Sequence, residues 1–227
     1  MREKVINILY RNRILSWLIP IFYRIIGKSQ VIIRGGNYGA FHNSILYKTR
    51  IDLGKGSNNA ITVGEKSFIS NSNVLIKGSN NKIVIGANGF INGLSLTLEG
   101  NFNHVFIGNN VFILDDTRMI VVDGSSLSLG NGCMLSDRID IRTTDNHSII
   151  DRTTGERINF EEDITIGDNV WIGTGVNVLK GTYLPTGTII GARSVVTRRF
   201  EKENCIIVGN PAKQIKENVS WKMERIK

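Results

Sequence analysis

Between Ile164 and Val196 the chain places an aliphatic residue at every sixth position: Ile166, Ile172, Val178, Leu184, Ile190 and Val196. Four positions after each of the first five stands a small or β-branched residue, Val170, Val176, Thr182, Thr188 and Ser194. Gly167, Gly173 and Gly191 directly follow their aliphatic neighbours, where a sharp corner needs a residue free of Cβ strain. A period of six matches neither the turn of a helix nor the alternation of a half-buried strand. It predicts a parallel β-helix, a solenoid in which short strands and corners stack coil on coil.

A longer repeat precedes it. AITVGEKSF, KIVIGANGF, HVFIGNNVF, SLSLGNGCM and DITIGDNVW align on Gly64, Gly86, Gly108, Gly130 and Gly167, with three gaps of 22 residues and one of 37. Each unit carries aliphatics two apart before its glycine and a large apolar residue four after it: Phe68, Phe90, Phe112, Met134 and Trp171. The turn sequences GSNN and GNFN, at Gly56, Gly78 and Gly100, supply the positive-φ residues that corners require. Coils are therefore expected to take about 22 residues upstream and about 18 downstream. The gap of 37 is a regular 22 with 15 residues added, and the excess falls in residues 144–163, TDNHSIIDRTTGERINFEED. A charged loop thrown out of a rigid coil is where function concentrates. From Val31 to about Thr49 the pattern is irregular, as in divergent coils, and His42 lies there.

The two ends differ from this. Residues 1–28 carry Arg2, Lys4, Arg11, Arg13, Arg24 and Lys28 against the single acid Glu3. The apolar run Ile14 to Tyr23 is too short to cross a bilayer, no signal-peptide cleavage site follows it, and Pro20 is expected to kink or divide any helix. Two readings stay open: a short helix covering the open end of the solenoid core, or a basic apolar segment resting on the inner membrane face. Residues 29–209 form one β-helix domain. In residues 210–227, Asn210 suits an N-cap and Pro211 the first helical position, and Ile215, Val219 and Met223 make an apolar stripe. The expected fold is thus mainly β, a solenoid with a short N-terminal and a C-terminal helix.

Net charge is +8 and the isoelectric point about 9.6. That suits a solvated basic surface or a polyanionic partner, and with no nucleic-acid motif or aromatic platform, nucleic acid is not expected. Cys133 and Cys205 give neither a disulfide framework nor metal spacing and fit a reducing, cytoplasmic setting. The histidines, His42, His104 and His147, are scattered, so no metal is expected. His147 stands in the loop after Asp145 and Asn146. A neutral imidazole can take the proton of a hydroxyl that attacks a carbonyl, and no serine or cysteine nucleophile is convincingly placed. Asp145 would orient that ring or contact an acceptor, and Asn146 would donate to a developing oxyanion, although both equally suit a turn.

Over about residues 127–216 these motifs resemble the hexapeptide-repeat acyltransferases, the left-handed β-helix family, and within it the O-acetyltransferases of sugars and bacterial surface polysaccharides. The left-handed sense comes from the resemblance, because connection physics alone favours right-handed crossovers. The resemblance implies acetyl-CoA as donor, a sugar or polysaccharide hydroxyl as acceptor, and His147 as a single general base. It implies coenzyme contacts at Thr174 in WIGTGV, at Ala192, Thr197 and Arg198 in IIGARSVVTR, and at Lys213 and Lys216 in NPAKQIK. Arg198 stands where the family commonly has lysine, and the two lysines where it commonly has arginine. It also implies a homotrimer with the site between adjacent solenoids. N-acylation of an amino-sugar nucleotide would usually add a nucleotide-binding region that this chain does not display. A non-catalytic scaffold would show no dependence on His147 and no affinity for coenzyme.

Overall fold

A computed structural model describes residues 18–226. Among these, the strands form three sheets, parallel except for the last strand of one, that make the faces of a prism of about eight coils. Sheet A has eight strands, from Gln30–Ile32 to Val195–Val196; sheet B has seven, from Tyr38–Phe41 to Tyr183–Leu184. Sheet C has nine, from Ile45–Tyr47 to Ala212–Lys216. The chain visits A, B and C in turn and then climbs one coil. Partners in neighbouring coils lie 22 residues apart at His104 and Ser126, 37 apart at Leu127 and Ile164, and 18 apart at Thr165 and Tyr183. The two coil lengths and the insertion are those the glycine spacing implies.

The six-residue period reflects the three faces. Ile166 and Leu184 point inward from sheet B, Ile172 and Ile190 from sheet C, and Val178 and Val196 from sheet A, each at most 1% exposed. Each stacks on its equivalent in the next coil, as in the column Ile51, Val74, Leu96, Met119, Ile141, Val178 and Val196. Burying one such side chain contributes about 2 kcal/mol, and the columns repeat that contribution coil after coil. The interleaved small residues fill the corners. Thr182, Thr188 and Ser194 are buried there and donate their hydroxyls to the carbonyls of Val196, Pro185 and Gly191. The glycine column is a place where backbones touch: a Cβ on Gly86 would lie 2.6 Å from the Gly108 carbonyl carbon.

One corner of the upstream coils is filled by amides. Asn59, Asn81 and Asn103 are fully buried in a ladder. The Asn81 side-chain oxygen accepts from the backbone N–H of Asn103 at 2.9 Å and from its side-chain N–H at 2.8 Å, and Asn81 donates in the same way to Asn59. On the outside of sheet C, Phe68, Phe90 and Phe112 stack with centroids 5.7 and 6.3 Å apart.

At the N-terminal end, helix α1 (Leu18–Ile26) packs on the strand Ile45–Tyr47, with Tyr23 edge-on to Tyr47 at 6.4 Å. Among the described residues α1 continues unbroken past Pro20, its third described position, so Pro20 does not divide it. The expectations for residues 1–17 lie outside the described residues.

The C-terminal helix expected over 210–227 does not form. Ile206–Gly209 is the last coil strand of sheet C, and its outer edge would leave backbone groups unpaired. Ala212–Lys216 instead folds back antiparallel and covers that edge, through a turn containing the cis Asn210–Pro211 bond. Ala212 is buried, whereas Ile215 and Met223 stay 63% and 53% exposed, so the helical stripe has no surface to bury against. The Gly-Asn-Pro-Ala sequence is hairpin chemistry rather than a helix start.

Asn81→Ala would strand the two N–H groups of Asn103 inside the corner and is expected to destabilise the protein by about 2–4 kcal/mol, against little change for the exposed Lys82→Ala. Urea unfolding of both variants checks this; equal stability would show that the ladder is dispensable.

Candidate active site

The inserted loop leaves the prism at the corner between sheets A and B, after Asp140–Arg142 and before Ile164–Ile166. Its arm is a short hairpin: Ile150 bridges Arg157, Ile158 N–H donates to Ile149, and Asp151 accepts from the N–H groups of Thr153 and Thr154 at the tip. Two residues pin its base. Buried Asn159 accepts from the Ile149 N–H at 2.6 Å and donates to Asp145 Oδ2 and to the His147 carbonyl, both at 2.8 Å. Lys180, from the next coil, pairs with Asp145 Oδ2 at 2.6 Å and donates to the Phe160 carbonyl at 2.9 Å. Arg157 and Glu161 pair at 2.6 Å beneath the arm.

His147 is thereby held through its own backbone while its side chain stands exposed, with no hydrogen bond from the ring among the described residues. Asp145 turns its carboxylate to Lys180 and Asn159. The hydrogen bond from Lys180, reinforced by that from Asn159, holds the Asp145 carboxyl below the usual carboxylate range. Asn146 has a φ of 65° and gives its backbone N–H to Thr144 Oγ1, so it makes the turn that presents His147, its side chain exposed beside it.

The remaining predicted residues divide between two edges of the prism. Thr174 and Ala192 occupy successive coils at the corner between sheets C and A, where Arg193 N–H donates to the Thr174 carbonyl. The Thr174 hydroxyl donates to Asp137 Oδ1 at 2.6 Å, and that bond, with the adjacent Arg138, lowers the Asp137 pKa. Ala192 is exposed. Lys213 pairs in register with Val208, whose side chain lies against Gly191, so it belongs to the same corner; Lys216 sits farther along, opposite Ile206. Both lysines are exposed. Thr197 and Arg198 lie instead at the corner between A and B, the edge that carries the His147 loop, with the Arg198 guanidinium 4.9 Å from the centroid of the Phe200 ring. Sheet A separates the two groups within one chain.

Two features escape a reading of the sequence alone. Lys180 and Asn159 anchor the loop, and the available signal is weak: Lys180 is the one basic residue between positions 164 and 192. The tail also returns to the prism, at the start of a sheet C strand. Trp221 donates its ring N–H to the Asn169 carbonyl at 2.6 Å and lies 6.1 Å from Trp171, whose own N–H reaches Ser136. On the arm, Ile149, Ile150, Ile158 and Phe160 are each about half exposed or more.

No family model matches the chain. It is 33% identical over 102 residues to a polysialic acid O-acetyltransferase of Escherichia coli O1:K1 / APEC, covering 45% of this chain and 33% of that one. It is 33% identical over 101 residues to a polysialic acid O-acetyltransferase of Neisseria meningitidis, covering 44% and 47%. These alignments span a third to a half of the relatives' length. Among solved structures, the polysialic acid O-acetyltransferase OatWY superposes with a TM-score of 0.81 at 30% identity, over 87% of this chain and 92% of that one. The polySia-specific acetyltransferase NeuO gives 0.78 at 28% identity, over 86% and 89%.

A carboxylate lowered in the folded state adds stability above its ordinary range, and that contribution disappears as pH falls through the lowered value. Lys180→Met is therefore expected to speed amide exchange in residues 145–161 at neutral pH by about fivefold, the equivalent of about 1 kcal/mol for a partly exposed pair. The part of that difference due to the ion pair should fade as pH falls below about 4 through the lowered value, leaving the part due to the bond to the Phe160 carbonyl. Exchange mass spectrometry at both pH values checks this; equal protection at neutral pH would mean that the ion pair does not hold the loop.

Proposed function

The chain belongs to the hexapeptide-repeat sugar O-acetyltransferases, and from this we propose that it moves an acetyl group from acetyl-CoA to a hydroxyl of a surface polysaccharide, of the capsular type. The observation that carries the reading is an exposed imidazole, His147, on a pinned loop of a solenoid that superposes on a polysialic acid O-acetyltransferase over most of both chains.

In the proposed reaction His147 takes the proton of the acceptor hydroxyl as its oxygen attacks the thioester carbonyl. The new C–O bond gives a tetrahedral oxyanion. The C–S bond then breaks, the acetyl group stays on the sugar oxygen, and the imidazolium returns its proton to the leaving sulfur to give the free thiol. No covalent enzyme intermediate is needed. Asn146, at the turn beside the ring, is the proposed donor to the oxyanion, and Asp145 with Lys180 fixes the loop that carries both.

Thr174, Ala192 and Lys213 are the proposed coenzyme corner, with small Ala192 letting the pantetheine arm approach the backbone and Lys213 meeting phosphate. Arg198 and Thr197 are proposed to serve from the other edge, and Lys216 from the tail strand. Because these edges are separate in one chain, the site is proposed to close only between two subunits of a homotrimer of left-handed solenoids. The four large apolar side chains left exposed on the arm support this, since a neighbouring solenoid would bury them. A cytoplasmic location is proposed because acetyl-CoA is made there and because both cysteines are free and buried, Cys133 with its thiol pushed up to about 12 by burial.

His147→Ala is expected to lower turnover about 10²–10⁴-fold without changing the melting temperature, read as thiol release from acetyl-CoA with a panel of glycans that includes polysialic acid. Turnover equal to wild type would refute the base; absence of coenzyme binding in both proteins would favour a scaffold. Mixed trimers of His147→Ala and Lys213→Glu chains are expected to regain part of the activity that each lacks alone. Mixtures as inactive as their components would place the whole site in one chain.

A further inference from the structure

The positive charge of the chain is confined to one end. Residues 52–227 hold 19 basic and 19 acidic side chains, so the whole net charge of +8 resides in residues 1–51. No acidic residue occurs from position 4 to position 51. The described basic residues of this stretch are Arg24, Lys28, Arg34, Lys48 and Arg50, all exposed. Where α1 runs into the first coil, Lys28, Lys48 and Arg50 line a hollow of about 470 Å³ together with Ile26. Arg50 is engaged by Asp52 at 2.8 Å. Neither lysine is ion-paired among the described residues, although Lys48 lies over the Tyr47 ring.

The same end is apolar on its outer side. Ile21, Ile25 and Ile26 are 46%, 70% and 51% exposed; Ile21 and Ile25, four apart, share one face of α1, and Ile26 borders it at the helix end. Ile26 belongs to both surfaces, so the aliphatic stripe and the basic hollow are continuous. We propose that this end of the solenoid rests on an anionic lipid bilayer, with the isoleucines of α1 in the boundary between headgroups and acyl chains and a lipid phosphate in the hollow between Lys28 and Lys48.

The charge and the shape select this occupant. A basic, exposed apolar helix face is what an interfacial helix presents to anionic lipid. The described helix α1 has nine residues, and no described helix is long and apolar enough to cross a membrane. A second copy of the same end would set two surfaces of like charge together, each with five described basic residues and no acid between positions 18 and 51. None of the residues lining the hollow is aromatic, so it offers nucleic-acid bases no stacking platform. The inference is independent of the acetyl-transfer reading.

The test sediments the full chain with vesicles of phosphatidylcholine alone or mixed with phosphatidylglycerol. Binding is expected only to the anionic vesicles and should be released by high salt. Lys28→Glu with Lys48→Glu should weaken it about tenfold or more. Ile25→Asp, which alters an exposed side chain and leaves the core untouched, should abolish it. Turnover of a soluble acceptor should stay at the wild-type value in all variants. Sedimentation with neither vesicle, or equally with both, would overturn the proposal, as would variants that bind like wild type. A fall in oligomeric mass in Ile25→Asp would overturn it by making the face a contact between copies, and displacement by a single-stranded oligonucleotide from a vesicle-insensitive site would do so in favour of nucleic acid.

Discussion

Everything in this molecule depends on each coil sitting in register on the one below. Inward aliphatics must fall on inward aliphatics, and each strand's backbone groups must meet those of the neighbouring coils. A one-residue slip would turn the buried set of a strand outward and leave charged or polar chains in the core. The buried amide ladder and the glycine column restrict the register further. Asn59, Asn81 and Asn103 bond one another only at one offset, and Gly86 and Gly108 tolerate only backbone at theirs. The result is a stiff prism in which an insertion can leave without disturbing the later coils. Sheet pairing resumes after the loop at Leu127 and Ile164, and continues at the shorter coil length.

That stiffness gives the loop its precision. A long surface segment is ordinarily mobile, yet here one buried asparagine and one lysine from the next coil tie both strands of its base to the prism. The imidazole of His147 then projects from a turn whose backbone is fixed on both sides. Preorganisation of this kind means that a side chain presented there need not be ordered at the moment it is used.

The solenoid is legible in the sequence because its signal is local and repeated. Six consecutive aliphatics at one spacing, and five glycines at another, leave little freedom for a different fold, and the length of the insertion is set by the one irregular gap. The C-terminal segment misleads for the converse reason. Asn210, Pro211 and an apolar spacing of four imitate a helix start, but the deciding factor is an exposed sheet edge created by residues far behind them. Lys180 and Asn159 are hidden on the same ground, since an anchor is defined by what it meets across coils and neither carries a local pattern. The division of the proposed coenzyme residues between two edges likewise emerges only once the strands are assigned to faces. Charge partition, by contrast, is present in the sequence and acquires meaning because the basic residues share a hollow with the open face of α1.

A crystal structure of the assembled protein with coenzyme A bound tests the central claim most directly. The pantetheine arm is expected along the corner of Thr174 and Ala192, with its sulfur beside His147 of an adjacent subunit and room between them for one hydroxyl. Coenzyme bound at another surface, or a sulfur beyond reach of every His147 ring, would contradict it.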